Sequence, residues 1–384
     1  MNFDLTEEQN LLRRTVREFA DREIDPVASE LDEEERFSPD LTRRMGEIGL
    51  FGMFIPEEYG GSDMGYIAYI IAVEEIARVD ASQAATVATG NSLGIGPIYY
   101  YGSSEQKNRW IPDLCKGQRL AAFGLTEPNA GSDAGATQTK AELKGDRWII
   151  NGSKIFITNS ASEMTSVIIV QAVSGLRTDG KKELSCFLVP SDAPGLTRKP
   201  MKGKMMWRAS DTGELFLEDC TVPRENLLGG RGNGFRLMLA VLDVGRLGIA
   251  AMGLGGAQGC FDRALRYANQ RCQFGRPIAS FQVNAFKLAD MALEIELARN
   301  ILYKAAWLRE QDRPFTMEAA MAKLFCSEVM YRCANAAVQL HGGYGLMREF
   351  QVERFYRDQK LLEIGEGTSE VQRMVIARHI GAAR

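Results

Sequence analysis

Two short stretches of this chain carry the residue types of a reaction site. Thr126-Glu127-Pro128-Asn129-Ala130-Gly131-Ser132-Asp133 follows an apolar lead-in, Ala122-Phe123-Gly124-Leu125. Glycine and small polar residues let a backbone approach a flat cofactor and offer it N–H groups and hydroxyls. Far downstream, Gly365-Glu366-Gly367-Thr368-Ser369 sets a lone carboxylate between two glycines just before a helix start. A mobile, poorly solvated carboxylate at such a place could serve as a base that reaches a substrate.

Other chemistries lack their residues. With His341 and His379 as its two histidines, the chain cannot build a histidine-rich metal site, and neither belongs to a His-Glu-x-x-His or Glu-x-x-His pattern. A di-iron helical bundle is thereby disfavoured, and no metal is expected. No Gly-x-Ser-x-Gly elbow and no Walker loop occur. Gly253-Leu254-Gly255-Gly256-Ala257-Gln258-Gly259 misses the dinucleotide-binding spacing and lies within a predicted helix, so close helix packing explains it better. The seven cysteines show no Cys-x-x-Cys and read as reduced, mostly buried thiols. Lys and Arg number 46 against 50 Asp and Glu, with no basic block, which argues against a nucleic-acid partner.

The elements that must position the two stretches follow from periodicity. The length, 384 residues, suits two or three domains. From Thr6, which opens a Thr-x-x-Gln capping box with Gln9, Leu12, Val16, Phe19 and Ala20 recur at helical spacing as far as Asp25-Pro26. Further helices are predicted near 40–50, 66–79 and 83–101, with Ile55 to Gly61 as a loop. Near residue 120 the period becomes strand-like. Trp148 to Ile157 reads as two strands about an Asn151-Gly152 turn, followed by strands at 166–173, 184–189 and 214–217. From about 233 helices return, at 234–270, 281–311, 316–341 and 366–380, enough for a four-helix bundle. The fold class is α+β: an N-terminal α-helical domain (1–119), a middle β-barrel-like or sandwich domain (120–232) and a C-terminal bundle (233–384). The polar, acidic start has neither a signal-peptide core nor the look of a transit peptide, and no uninterrupted run of about 18 apolar residues predicts a membrane helix. A cytoplasmic protein is expected, or a matrix protein if the chain is a mature mitochondrial one.

In motif order the chain resembles the acyl-CoA dehydrogenases over essentially its whole length, and the short-chain, butyryl-CoA type most. The resemblance rests on Leu125 to Asp133, Phe156-Ile157-Thr158-Asn159, Arg208 to Thr212, Leu242-Asp243-Val244-Gly245-Arg246, Arg271-x-x-Phe274-Gly275, Gln339-Leu340-His341-Gly342-Gly343 and Glu366 to Glu370. It implies FAD as cofactor and an acyl-CoA thioester as substrate. A base takes the α proton while hydride leaves the β carbon for flavin N5, giving a trans-2-enoyl-CoA. Glu366 matches that base. Some relatives carry theirs at the position of Gly245, which has no side chain here. The Glu366 N–H and a ribityl hydroxyl would hold the thioester oxygen. Phe123, Leu125, Thr126, Ser132, Phe156 and Thr158 match flavin contacts, with Phe156 where many relatives have Trp. Arg271, Phe274 and Gln282, with Gln339, Gly342 and Gly343 from a neighbouring subunit, match the pyrophosphate and adenine contacts, and Thr368 and Glu370 complete the set. Such sharing implies a homotetramer. Ser132, Asp243, Arg246, Gly365 and Gly367 match substrate contacts, though Asp243 and Arg246 are also spaced as an i,i+3 ion pair. An electron-transferring flavoprotein is the implied acceptor.

Gly365 departs from straight-chain relatives, which commonly place an aromatic residue beside the base. A wider pocket for branched, alicyclic or aryl-substituted acyl groups is one explanation; a backbone requirement for positive φ is the other. Gln83 to Val87 holds no cation for a distal carboxylate, which disfavours glutaryl-CoA. Thr89, Gly90 and Asn91 are candidates for the pocket floor, and Met206-Trp207 replaces a smaller pair. Two alternatives stay open on the same fold: a flavin oxidase or monooxygenase, and a catalytically silent flavoprotein.

Overall fold

The computed structural model describes residues 4–382, so Met1 to Phe3 of the polar start lie outside the described residues. α1 (Glu7–Phe19) starts at the predicted capping box, where the Gln9 N–H donates to the Thr6 hydroxyl and the Gln9 side chain accepts from the Thr6 N–H. α2 (Asp25–Glu33), α3 (Pro39–Glu47), α4 (Gly65–Ala77), α5 (Ala81–Thr89), α6 (Gly96–Tyr101) and α7 (Ser104–Cys115) follow. The segment predicted as one helix over 83–101 is two helices joined by a widened π-helical turn, Gly90–Ile95. Asn91 holds that turn: its amide donates to the Leu50 and Val87 carbonyls and its oxygen accepts from the Met53 N–H. This fully buried side chain is therefore structural and is not free to line a pocket floor.

Eight strands come next: β1 (Leu120–Gly124), β2 (Lys140–Lys144), β3 (Arg147–Thr158), β4 (Thr165–Leu176), β5 (Lys182–Pro190), β6 (Leu196–Pro200), β7 (Thr212–Pro223) and β8 (Leu227–Leu228). They form one sheet in the order β6-β7-β3-β2-β4-β5-β8, with β1 parallel to β4. The expected Asn151-Gly152 hairpin is absent. β3 runs straight through these residues, and the ladder to β7 shifts register between Ile150 and Gly152, so the pair is a bulge. The hairpin lies earlier, where Lys144 pairs with Arg147. A Gly-containing pair within an apolar run signals turn and bulge alike, and only the partner strand decides between them.

Alternation along β4 splits the interior in two. Val167 and Ile169 join a core made by the N- and C-terminal helices together, whereas Ile168 and Val170 join Trp148, Ile150, Phe187 and Leu215 in a separate β core.

α8 (Gly234–Gln270), the short β9 (Cys272–Gln273) and β10 (Arg276–Pro277), α9 (Gln282–Glu310), α10 (Thr316–His341), α11 (Val352–Ile364) and α12 (Ser369–His379) complete the chain. α11 was not legible as a separate helix, and the segment predicted over 366–380 begins at Ser369. α8 is long and apolar enough by composition to cross a membrane, but 78% of its most apolar window is buried inside the protein. Its small residues permit this burial. A β carbon on Gly255 would stand 2.1 Å from the Glu74 carbonyl oxygen of α4, so the two helices meet where no side chain fits.

Candidate active site

Glu366 occupies the link between α11 and α12, in left-handed backbone at φ 53°, followed by Gly367 at φ 96°. A side-chain-bearing residue held in that region marks a place where the surroundings fix the turn. Two donors do so. The Lys323 ammonium on α10 and the Gln372 amide on α12 each donate to the Gly367 carbonyl at 2.8 Å, and Gln372 also reaches the Glu366 carbonyl at 3.3 Å. The turn carries the Glu366 carboxylate inward against α8. There Oε2 is buried with no hydrogen-bond partner among the described residues.

Burial pushes the Glu366 carboxyl up to about 7, while the charges of Lys323 and Arg246 act in the opposite direction. A carboxyl so placed holds its proton more firmly than a solvated one, and its Oε2 has no partner among the described residues to occupy its lone pairs. Space for it exists because of Gly245, where a β carbon would stand 2.0 Å from Oε2. Arg246, the next residue, is buried and pairs with Asp243 at 2.5 Å, and the second Asp243 oxygen accepts from Thr316 at 2.7 Å. The i,i+3 ion pair is thus real. Beside it lies a cavity of about 310 Å³, lined by Phe54, Tyr100, Val241, Asp243, Arg309 and Phe315 among others.

Gly365 has φ −67°, which any residue adopts, so the backbone explanation for this glycine does not hold. Packing does not demand it either: a β carbon there would meet its nearest neighbour, the Leu361 carbonyl oxygen, at 3.4 Å.

The other stretch leaves β1 at Gly124. Phe123 is buried, Leu125 and Thr126 are half-buried, and Ser132 is exposed. A buried ion pair that the sequence reading missed holds its start. Lys154 on β3 donates to Glu127 at 2.7 Å and to the Leu125 carbonyl at 3.2 Å. The N–H groups of Gln138 and Thr139 and the Thr139 hydroxyl also donate to Glu127. The Ile155 N–H donates to the Thr126 carbonyl, which draws the loop onto β3 beside Phe156. A second irregularity in the β3–β7 ladder falls between Lys154 and Ile157. Phe156 sits on it with φ 61° and is 63% exposed, while Thr158 two residues on is half-buried. An exposed ring, two half-exposed hydroxyl-bearing threonines and a small-residue loop at one place make a donor set fitted to a flat aromatic cofactor.

Arg271, Phe274 and Gln282 are exposed on and after the β9–β10 hairpin, Phe274 to 94%. Gln339, Gly342 and Gly343 are exposed at the end of α10. Within one chain the Arg271 guanidinium lies over the Tyr344 ring, so the two groups share one face. Thr368 caps α12 by accepting from the Val371 N–H, and Glu370 is exposed in the first turn of that helix. Lys323, Gln372 and Lys154 went unseen in the sequence. The available signal was a lysine within a locally apolar run (Ala319 to Cys326) and another just before Ile155-Phe156-Ile157.

A β domain clasped by helices that share one core, with the raised Glu366 carboxyl set between α8, α10 and α12, is the architecture of a defined enzyme class. Models of the acyl-CoA dehydrogenase N-terminal, middle and C-terminal domains match residues 6–118, 122–220 and 232–381. The chain belongs to the acyl-CoA dehydrogenase family, whose members are oxidoreductases and flavoproteins. It is 52% identical to the "Probable acyl-CoA dehydrogenase YngJ" of Bacillus subtilis, covering 99% of this chain and 100% of the relative. It is 46% identical to the "Short-chain specific acyl-CoA dehydrogenase, mitochondrial" of Rattus norvegicus, covering 98% and 91%. Among solved structures, butyryl-CoA dehydrogenase from Megasphaera elsdenii superposes with a TM-score of 0.96 at 40% identity, covering 99% of this chain and 100% of that one. A chain in a structure described as "Electron transferring flavoprotein of Acidaminococcus fermentans: Towards a mechanism of flavin-based electron bifurcation" gives 0.96 at 42%, covering 99% of each.

Proposed function

We propose that this enzyme uses Glu366 to remove the α proton of an acyl-CoA thioester while the β carbon loses hydride, forming a 2-enoyl-CoA. The observation that carries the reading is the Glu366 Oε2, buried, unpartnered and lodged in the space left by Gly245. A thioester α proton is weakly acidic, so the base gains from a raised pKa and a dry setting. FAD, when bound, would supply the acceptor for the hydride. Thr126, Ser132, Phe156 and Thr158, with Phe123 and Leu125 behind them, would hold the flavin end. The face carrying Arg271, Phe274, Gln282, Gln339, Gly342 and Gly343 would hold the adenine end of a neighbouring subunit's cofactor, with Thr368 and Glu370 near the junction. Arg suits a pyrophosphate because its planar fork donates two hydrogen bonds at once.

That sharing requires an oligomer, and we propose a homotetramer. Val283, Phe286, Leu293 and Leu297 are exposed on α9 at helical spacing, in keeping with a covered face. Asp243, which lines the neighbouring cavity, and its ion-pair partner Arg246 would meet the thioester arm together with Ser132 and Gly367. For the acyl group we favour short branched, cyclic or aryl-substituted chains. Gly365 supports this, because neither backbone conformation nor packing requires a glycine there, and its bare α carbon leaves room beside the base. An electron-transferring flavoprotein is the proposed acceptor, in the cytoplasm or the mitochondrial matrix.

The test is an anaerobic visible titration of the purified holoenzyme with straight, branched, cyclic and aryl acyl-CoAs. Bleaching of the flavin band is expected, fastest with a branched or cyclic chain. A yellow protein that no thioester bleaches would overturn the dehydrogenase reading.

A further inference from the structure

Lys323 is fully buried, and the hydrogen bond recorded for its ammonium goes to a neutral acceptor, the Gly367 carbonyl. Placing an ammonium in an apolar helix bundle is costly unless opposite charge or good acceptors answer it. Among the groups that act on it, Glu366 is the carboxylate with the largest effect; Glu363 and Glu370 add smaller attraction, and Arg246 opposes. Seen from Glu366, the facing charges are Lys323 from α10 and Arg246 from α8, and the Tyr69 hydroxyl of α4 also feels the carboxylate. The lysine thus touches the turn that carries Glu366, at the carbonyl of the very next residue.

We propose that Lys323 is a positioning residue for the base: it clamps the Gly367 carbonyl, and so the left-handed Glu366-Gly367 turn, while the positive charge it brings beside that turn favours the carboxylate form of Glu366. This rests on the reading of Glu366 as the base. The two roles divide between two donors. Gln372 binds the same carbonyl without charge and can only hold the turn. Lys323 holds it and also favours the carboxylate over the carboxylic acid, offsetting part of the desolvation that burial imposes. Burial lowers the Lys323 ammonium to about 8, and the Glu366 carboxylate acts against that lowering.

The experiment compares wild type with Lys323→Gln, Lys323→Arg and Gln372→Leu as FAD holoenzymes. Two quantities are followed against pH: the rate of anaerobic flavin bleaching by butyryl-CoA, and the protons taken up when 2-butenoyl-CoA binds, from calorimetry in buffers of different ionisation heat. In Lys323→Gln, which keeps a donor but no charge, the acid limb of the rate and the proton-uptake maximum should both move up by about one pH unit. Lys323→Arg should return both to wild-type positions. Gln372→Leu should slow bleaching about tenfold at every pH without moving either curve. If Lys323→Gln does not retain flavin, Lys323→Met carries the same comparison. A charge-free variant that holds flavin yet leaves both curves at the wild-type pH would overturn the proposal and leave Lys323 a purely structural role. Glu366→Gln tests the underlying reading separately: it should abolish both bleaching and proton uptake, and their survival would move the base elsewhere whatever Lys323 does.

Discussion

Gly245 and Glu366, 121 positions apart, are complementary: a β carbon on Gly245 would stand 2.0 Å from Glu366 Oε2 and 2.8 Å from its Cδ. The bare helix face is the seat of the carboxylate. Gly245→Ala should therefore displace the base while strengthening the helix locally. We expect flavin content to be kept and the bleaching rate by a good substrate to fall at least about tenfold, since catalysis is sensitive to ångström-scale misplacement. A wild-type rate in this variant would show that Glu366 works from another position.

Glu366→Gln retains shape and removes the basic oxygen. Loss of a positioned general base costs about 10²- to 10⁴-fold. Rapid-mixing bleaching should fall by that amount, while acyl-CoA binding, followed by perturbation of the flavin spectrum, stays within about threefold, because the amide keeps the shape of the carboxylate and loses only an interaction made in the transition state.

The raised Glu366 carboxyl gives two pH signatures of defined sign. The base must be ionised, so the bleaching rate should rise with pH through about 7 and level off above it. For stability the folded value lies above the ordinary 4.5, so the folded state holds the proton more firmly than the unfolded chain. The stabilising contribution is complete below the unfolded value and is lost as pH rises from there through about 7. Glu366→Gln lacks this titration. The melting temperature of the wild type relative to that variant should thus decline across the same window; a flat difference would contradict the buried, unpartnered carboxyl.

The Lys154–Glu127 pair, with side chains 0% and 4% exposed, lies beneath the loop that carries Thr126 and Ser132. Lys154→Met leaves a buried carboxylate without its counter-charge, a change that costs about 3–5 kcal/mol. Thermal unfolding should report a loss of that size, and equilibrium dialysis should show weakened flavin retention, because the lysine also binds the Leu125 carbonyl. Retention equal to wild type would separate the pair from the cofactor loop.

At Gly365 the backbone, at φ −67°, accepts any residue and a β carbon meets only ordinary contacts, so Gly365→Tyr is the variant of choice. It should shift the preference, as the ratio of kcat/KM, towards straight four-carbon chains over branched or cyclic ones by about tenfold or more, the scale at which one or two methylenes are discriminated. An unchanged ratio would detach this glycine from acyl selection.

Periodicity and local chemistry alone determined much of this protein. The capping box at Thr6, the long helical segments near 234–270, 281–311 and 316–341 and the strand-like run at 166–173 depend on near neighbours in the chain, so most helices and strands, though not α11, stood near their places before any partner was known. The motifs around Thr126 and Glu366 were legible for the same reason, because glycine beside a lone carboxylate is a local signal. What the fold decided depends on distant partners. Whether Asn151-Gly152 turns or bulges is set by β7, and whether Asn91 faces a substrate or pins a turn is set by Leu50 and Met53. Lys323 and Lys154 look like misplaced surface charges in one dimension; they gain meaning from Gly367 and Glu127. Glu366 itself was visible as a carboxylate, but its strength as a base is a tertiary property. Desolvation by the packed helices raises it, Lys323 and Arg246 restrain it, and the glycine on α8 gives it room, none of which lies within a helical turn of it in sequence.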